Sequence, residues 1–256
     1  GALEGAVSFA IRGPASLRRV AAVGASVLAA GVAVQAAPLL TGIAPLRGLW
    51  PTLAGRGTAG HVALSFDDGP DGASTPQFLE LLARLDVRAT FFMLGEMAQR
   101  FPDLSRRVVD AGHELAVHSW DHRNHLRNTP GRRTTDQLER TADLLRAQSG
   151  AQAVFFRPPY GALTAADLAA AARVGLQPVL WTAWGKDWTA SATPASVLRS
   201  VTKGQVDGGT VLLHDSDCTS APGSWRSAYG ALPSLVEWCG GRGLAIGPLG
   251  EHGLTA

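Results

Sequence analysis

The chain has 256 residues, 46% of them hydrophobic and 17% charged, with 23 basic and 21 acidic side chains and a formal net charge of +2. That composition excludes a disordered body, and the absence of a basic run interleaved with aromatics excludes a nucleic-acid binder. The small net charge favours neither an anionic wall nor a membrane partner, and the length leaves about two hundred residues for one domain with a sizeable core.

The N-terminus differs from the rest. Arg12, Arg18 and Arg19 precede a stretch, Val20 to Leu46, that has no charged residue, and Val20 to Ala37 is dominated by Ala, Val and Gly. Its length approaches the ~20 residues that cross a bilayer, and the basic flank would face the cytoplasm. Two export readings compete: a signal peptide cut after Ala36, behind Val34-Gln35-Ala36, and an uncleaved membrane anchor; a soluble Ala-rich helix is the third. Export or anchoring is the expectation, with the folded domain outside the cytoplasm, secreted or held at the membrane. Pro38, Pro45, Pro51 and Gly55-Arg56-Gly57 read as a linker, so residues 1–60 form an N-terminal segment and 61–250 the domain.

From Gly60 onward two patterns alternate. Strands are predicted at 61–66, 89–94, 113–117, 153–156, 177–182, 209–213 and 244–246, with helices near 74–86, 97–111, 134–149, 164–175, 194–203 and 227–240. Alternating βα units imply an α/β fold with a mostly parallel sheet covered on both sides. The residues that could carry chemistry each follow a strand, which places them at the C-terminal rim of a barrel.

The first strand ends in two adjacent carboxylates, Asp67-Asp68, followed by a Gly69-Pro70 turn. Two carboxylates at a strand tip repel, and a cation or a proton between them relieves the repulsion. Fifty residues on, His118 and His122 have HxxxH spacing; on a helical turn such residues project from one face and reach one ion. Two histidines and one carboxylate leave coordination positions open, which suits a catalytic Zn²⁺ or another divalent transition ion such as Co, Mn or Ni. His113, in a turn before a strand, reads as packed. His125 and Asp121 lie beside the histidine pair, either supporting it or, as expected, solvated. His61, His252, Arg132 and Arg133 read as surface groups, and Arg106-Arg107 as a polar helix face. For Cys218 and Cys239 a disulfide and two free buried thiols both stand open.

Five short motifs, taken together, resemble the polysaccharide deacetylases of the NodB-homology type, carbohydrate esterase family 4. They are Ser65-Phe66-Asp67-Asp68-Gly69-Pro70, with Ser where the family usually has Thr; His118 to His122; Arg157-Pro158-Pro159-Tyr160-Gly161; Asp187-Trp188, with Trp184 in place of the usual first acid of that motif; and Leu212-Leu213-His214-Asp215. The resemblance implies a distorted, often incomplete (β/α) barrel. It implies Asp68, His118 and His122 as metal ligands and Asp67 as the base that deprotonates water. Arg157 would orient Asp67, and His214 would be the acid that protonates the leaving amine. Asp187 would bond Arg157 or His214. Tyr160 would offer its backbone N–H to the oxyanion, and Trp188 with Leu212 would wall the acetyl methyl. Trp184 would either stack on a sugar or pack in the core.

The function this implies is metal-dependent removal of N-acetyl groups from a glycan, whether peptidoglycan, chitin-type or another surface polysaccharide, by a monomer with membrane association through the N-terminal segment. A deacylase of a small or lipid-linked amide is the alternative within hydrolases, with the loop 216–225 narrowing the site. A catalytically silent glycan-binding module is the alternative outside them.

Overall fold

The computed structural model describes residues 48–127 and 132–254. The alternating pattern becomes strands β1 (His61–Asp67), β2 (Thr90–Met93), β3 (Glu114–Val117), β4 (Phe155–Phe156), β5 (Gln177–Pro178), β6 (Ala183–Trp184), β7 (Thr210–His214) and β8 (Ala245–Gly247). Between them run helices α1 (Thr75–Arg84), α2 (Gly95–Arg100), α3 (Pro102–Asp110), α4 (Arg132–Ser149), α5 (Ala165–Val174), α6 (Pro194–Val201) and α7 (Trp225–Gly240). The strand order is β5-β4-β3-β2-β1-β7-β6, with β8 beside the start of β1, and every pairing is parallel. No pairing joins β5 to β6 among the described residues, so the sheet is an open, distorted (β/α) half-barrel, as expected.

Strand β1 shows how the sequence divides its two faces. Side chains alternate along a strand, so Val62, Leu64 and Phe66 turn outward to the helices. There they pack with Phe78 and Leu82 of α1, Phe91, Leu115, Val211 and Leu213. Each such side chain contributes roughly 1.5–3 kcal/mol by leaving water. Ala63 turns inward, to a smaller cluster with Phe92, Ala116, Phe155, Val179 and Leu249. Ser65 and Asp67 follow on the same inner face, so the strand that carries the core also carries the chemistry.

Two elements differ from expectation. The helix expected over 97–111 breaks at Phe101, which sits at φ −125, ψ 66. Pro102 disfavours helical geometry in the residue before it and then opens α3 as a first-turn proline. The strand expected over 177–182 stops at Pro178. The carbonyls of Val179 and Leu180 are taken instead by Arg157, through Nε at 3.3 Å and Nη2 at 3.0 Å.

The residues read as a linker pack against the sheet. Leu180 N–H donates to Leu53 O at 2.8 Å, Thr210 Oγ1 donates to Gly55 O at 2.7 Å, and Ala54 is buried. The export segment, Val20 to Leu46, and the Arg132 side chain lie outside what is described. No helix among the described residues is long and apolar enough to cross a membrane.

His113 is packed as expected, against Phe91. His252 is not a surface group: it is fully buried, and its Nδ1 lies 2.8 Å from Nδ1 of the half-buried His61. The pair sits at the barrel end away from Asp67, where Thr58 N–H donates to His252 O. One nitrogen donates and the other accepts, so the accepting ring is neutral. Burial, then the neighbouring His61, lowers His252 from 6.5 to about 4. Burial lowers His61 as well, against the pull of Glu251. The unfolded chain therefore takes up protons first on acidification, and the stability present above the ordinary histidine value is lost as pH falls from 6.5 towards about 4. The urea midpoint should fall across that window, and the fall should shrink in His252→Phe; an equal fall in both proteins would refute the assignment.

Candidate active site

The inner-face residues at the strand ends converge. Asp67 closes β1 opposite His214, which closes β7. His118 follows β3 and Arg157 follows β4. Asp67, His118 and His214, with Asp68, His122 and the Trp188 ring, line a cavity of about 230 Å³, to which Tyr160, Trp181, Trp184, Leu212, Thr219 and Ser220 also contribute; Arg157 lies behind its wall.

Arg157 is fully buried. Its Nη1 donates to Asp67 Oδ1 at 2.7 Å and to Ser65 Oγ at 2.9 Å, and its guanidinium lies 4.0 Å from the Phe92 ring centre. Ser65 thus fills a specific role, passing its own proton to Val211 O at 2.7 Å. Burial depresses the Arg157 pKa, but the Asp67 charge offsets this and keeps an ion pair at the barrel's centre.

Asp68 stands at φ 77, a left-handed conformation that turns it away from β1 and across from its neighbour. Its Oδ1 lies 3.3 Å from His118 Nε2 and 3.2 Å from His122 Nε2. His118 Nδ1 is 2.8 Å from Arg157 O, so that nitrogen donates and Nε2 keeps its lone pair. A lone pair thus faces a buried carboxylate oxygen that accepts no hydrogen bond. One atom each from Asp68, His118 and His122 lies within 4.8 Å of the others. This donor set fits a divalent transition ion. The other Asp68 oxygen accepts from Thr219 Oγ1 at 2.5 Å. Burial opposes the Asp68 charge, yet the neighbouring His118, His214 and His122 outweigh it and hold the carboxyl below the usual range. Burial first lowers His122 to about 4, which keeps its ring neutral.

The histidine pair is not on a helical turn. His118 leaves β3 and a loop carries His122, with Ser119 between them at φ 76. The carbonyls of Ser119 and Trp120 accept from Gly95 and Glu96 N–H at the start of α2, which pins the loop in this extended course. Spacing alone carries no information about that left-handed residue.

His214 Nδ1 lies 3.0 Å from Asp187 Oδ1, and Asp187 Oδ2 accepts the His214 backbone N–H at 2.7 Å. Asp187 therefore serves His214; its carboxylate makes no bond to Arg157. Burial works against the charged ring, but Asp187, with Asp68 and Asp67 behind it, raises His214 to about 10. Trp188 meets the His214 ring edge-on at 5.7 Å, and Trp184 lies 5.1 Å from Trp188. Trp184 is 37% exposed and lines the cavity, so it is not core. Tyr160, at φ 61, is largely exposed and sets its ring 4.4 Å from His122. Asp215 lies behind the turn, buried, and accepts from Thr75 Oγ1; burial raises it to about 7. A Cβ at position 69 would lie 2.5 Å from its Oδ2, which is why the turn after Asp68 needs glycine.

Several participants escaped the sequence. Thr219, Ser220 and Trp181 carry no motif, although the loop holding the first two was expected to roof the site. His125 is buried, contrary to a solvated reading, and is bonded to Asp167. Asp121 is half-buried, paired with Arg123. Cys218 and Cys239 are free thiols, the first exposed and the second buried.

A family model described as polysaccharide deacetylase matches residues 54–179. A peptidoglycan-N-acetylglucosamine deacetylase of Listeria monocytogenes is 35% identical over 161 residues, which are 63% of this chain and 34% of that protein. The chain thus spans about a third of that relative's length. A chitooligosaccharide deacetylase of Azorhizobium caulinodans is 31% identical over 195 residues, covering 73% of this chain and 92% of that one. Among solved structures, a family 4 carbohydrate esterase from Streptomyces lividans in complex with acetate superposes with a TM-score of 0.64 and 32% identity, over 76% of this chain and 93% of that one.

Proposed function

The chain belongs to the polysaccharide deacetylase family, and on that premise we propose that it is a metal-dependent hydrolase removing N-acetyl groups from the amino sugars of a glycan. The observation that carries this reading is the pairing of two adjacent carboxylates with opposite attachments. Asp67 is bonded to a buried arginine at 2.7 Å, and Asp68 faces two imidazole nitrogens at 3.2 and 3.3 Å.

Asp68, His118 and His122 would hold the cation, Zn²⁺ in the first instance, with Co²⁺, Mn²⁺ or Ni²⁺ compatible with the same donors. When bound, a divalent cation supplies Lewis-acid chemistry, acidifying water and polarising an acyl oxygen. Asp67 has one oxygen fixed by Arg157, and its other oxygen takes the proton of the attacking water. His214 is held by Asp187 through Nδ1, and its other nitrogen gives a proton to the departing amine. Tyr160 N–H would meet the oxyanion. Trp188 and Leu212 form the apolar wall for a methyl, while half-exposed Trp184 offers a face for a sugar ring. A silent glycan-binding module would need neither the Arg157–Asp67 pair nor the Asp187–His214 pair. A catalytic domain near 61–250 with residues 50–58 packed along its edge, an extracytoplasmic location and action as a monomer complete the proposal.

The test is acetate release by the full chain, stripped of metal and resupplied with Zn²⁺ or Co²⁺. Chitooligosaccharides, peptidoglycan fragments and a small acetamide would be compared. Release from a glycan only with metal supports the reading; release from the acetamide alone moves the substrate to a small or lipid-linked amide. Thr219 and Ser220, which line the cavity from the roofing loop, are what would favour that smaller substrate.

Asp187→Asn separates the acid from the base. His214 loses the charge that raises it to about 10, so the protonated ring is present over a narrower range. The alkaline limb of kcat/KM should move down by more than one pH unit, roughly 1.4 kcal/mol or more of lost stabilisation of the cation. An unmoved limb would remove His214 from the acid role.

A further inference from the structure

A line of buried side chains runs behind the loop that carries the two histidines. Ser119 lies between them in sequence, and its hydroxyl is 2.8 Å from Gln137 Oε1 and 3.0 Å from His125 Nε2. His125 Nδ1 is 2.6 Å from Asp167 Oδ1. Asp167 Oδ2 accepts from Thr164 N–H at 2.7 Å and Thr164 Oγ1 at 2.8 Å, capping α5. Ser119, His125 and Asp167 are all buried, and the His125 ring stacks parallel to Phe156.

The donor inventory places the protons. Gln137 Nε2 lies 3.3 Å from Asp121 Oδ1, and an ionised carboxylate only accepts, so the amide nitrogen is on that side and Oε1 faces Ser119. The single hydroxyl proton of Ser119 goes to Gln137. His125 Nε2 must then donate to Ser119 Oγ, and Nδ1 shares a hydrogen bond with Asp167 Oδ1. His125 and Asp167 thus form a buried polar pair behind the loop. Such pairs gain little net stability, and one established use is to specify a geometry.

The same carboxylate reaches the other side of the site. Thr164 ends the turn that carries Tyr160, and the Tyr160 ring meets His122 at 4.4 Å. Ser119 and Tyr160 both hold left-handed backbone, at φ 76 and φ 61, which persists only where the surroundings impose it. We infer that Asp167 is a positioning residue that clamps two loops at once: through His125 and Ser119 it sets the spread of His118 and His122, and through Thr164 it sets the Tyr160 turn against them. This rests on the proposed metal-binding role of the two histidines.

The test is metal affinity of the full chain, by chelator competition with Zn²⁺ and with Co²⁺, for the parent, Asp167→Asn, His125→Gln and the double variant. Each single variant should bind ~10–100-fold more weakly, as for other partners that orient metal ligands. The double variant should be no weaker than the weaker single one, because both cut the same line. The Co²⁺ absorption spectrum, which reports ligand geometry, should change in the single variants, whereas a role in stability alone leaves it unmoved. Folded single variants with affinity within twofold of the parent overturn the clamp. Where the single variants do not fold, Ser119→Ala cuts the link to the loop and leaves the His125–Asp167 pair; unchanged affinity there overturns it equally. In the metal-free parent, ¹⁵N spectra should show a proton on His125 Nε2, and a bare Nε2 refutes the proton placement. A parent that binds neither ion refutes the metal reading, and the clamp as a device for it, whatever the spectrum shows.

Discussion

Asp67→Asn is expected to keep its fold and its cation and to lose on the order of 10²–10⁴ in kcat, the usual contribution of a positioned base. The amide oxygen can still accept from Arg157 Nη1, now 2.7 Å from the Asp67 carboxylate, so the side chain stays in place. What disappears is basicity, and with it the anion that balances a fully buried guanidinium. That second loss should cost about 3 kcal/mol of stability, the lower end for breaking a buried pair. The donor atoms of Asp68, His118 and His122 are untouched, so metal content per chain should match the parent. Turnover, denaturation and metal content measured on one preparation separate the three effects. Full activity in this variant would remove Asp67 from the base role, and loss of metal would make it a ligand.

His118→Ala should abolish activity by the opposite route. The ring contributes one of the three donor atoms grouped within 4.8 Å. Its Nδ1 bond to Arg157 O at 2.8 Å aims the remaining nitrogen, so no neighbour can replace it. Affinity should fall well beyond the ~10–100-fold typical of a supporting partner. Dialysed protein should therefore contain no stoichiometric metal, and turnover should drop to background. Excess metal should restore little of it. Unchanged metal content in both His118→Ala and His122→Ala would discard the ligand set.

The parallel sheet was legible because burial on both faces leaves long apolar runs separated by helical periodicity. Several strand ends were legible too: the apolar runs of β1, β3, β4 and β7 each give way to polar residues of a motif. Loop geometry was not. The spacing of His118 and His122 suited a helix as well as the observed loop, and what decides between them is Ser119 held left-handed by α2 and α4. His252 and His125 looked like surface residues because a lone histidine has no periodic partners. Their burial depends on contacts with residues 191 and 42 positions away, His61 and Asp167. Trp184 departs from the acid usual at its place in the motif, and here its ring lies on the cavity wall beside Trp188.

The packing of residues 50–58 reaches beyond the question of where the domain begins. Leu53 and Gly55 occupy main-chain and side-chain partners on Leu180 and Thr210, beside the gap where β5 and β6 fail to meet. An open sheet has two free margins, and uncovered strand margins recruit other chains. The short N-terminal stretch thus acts as a selvedge, finishing one side of a fabric that never closes into a tube. A truncation at residue 60 would leave every motif in place and unravel that border, baring strand margins with which other chains can pair.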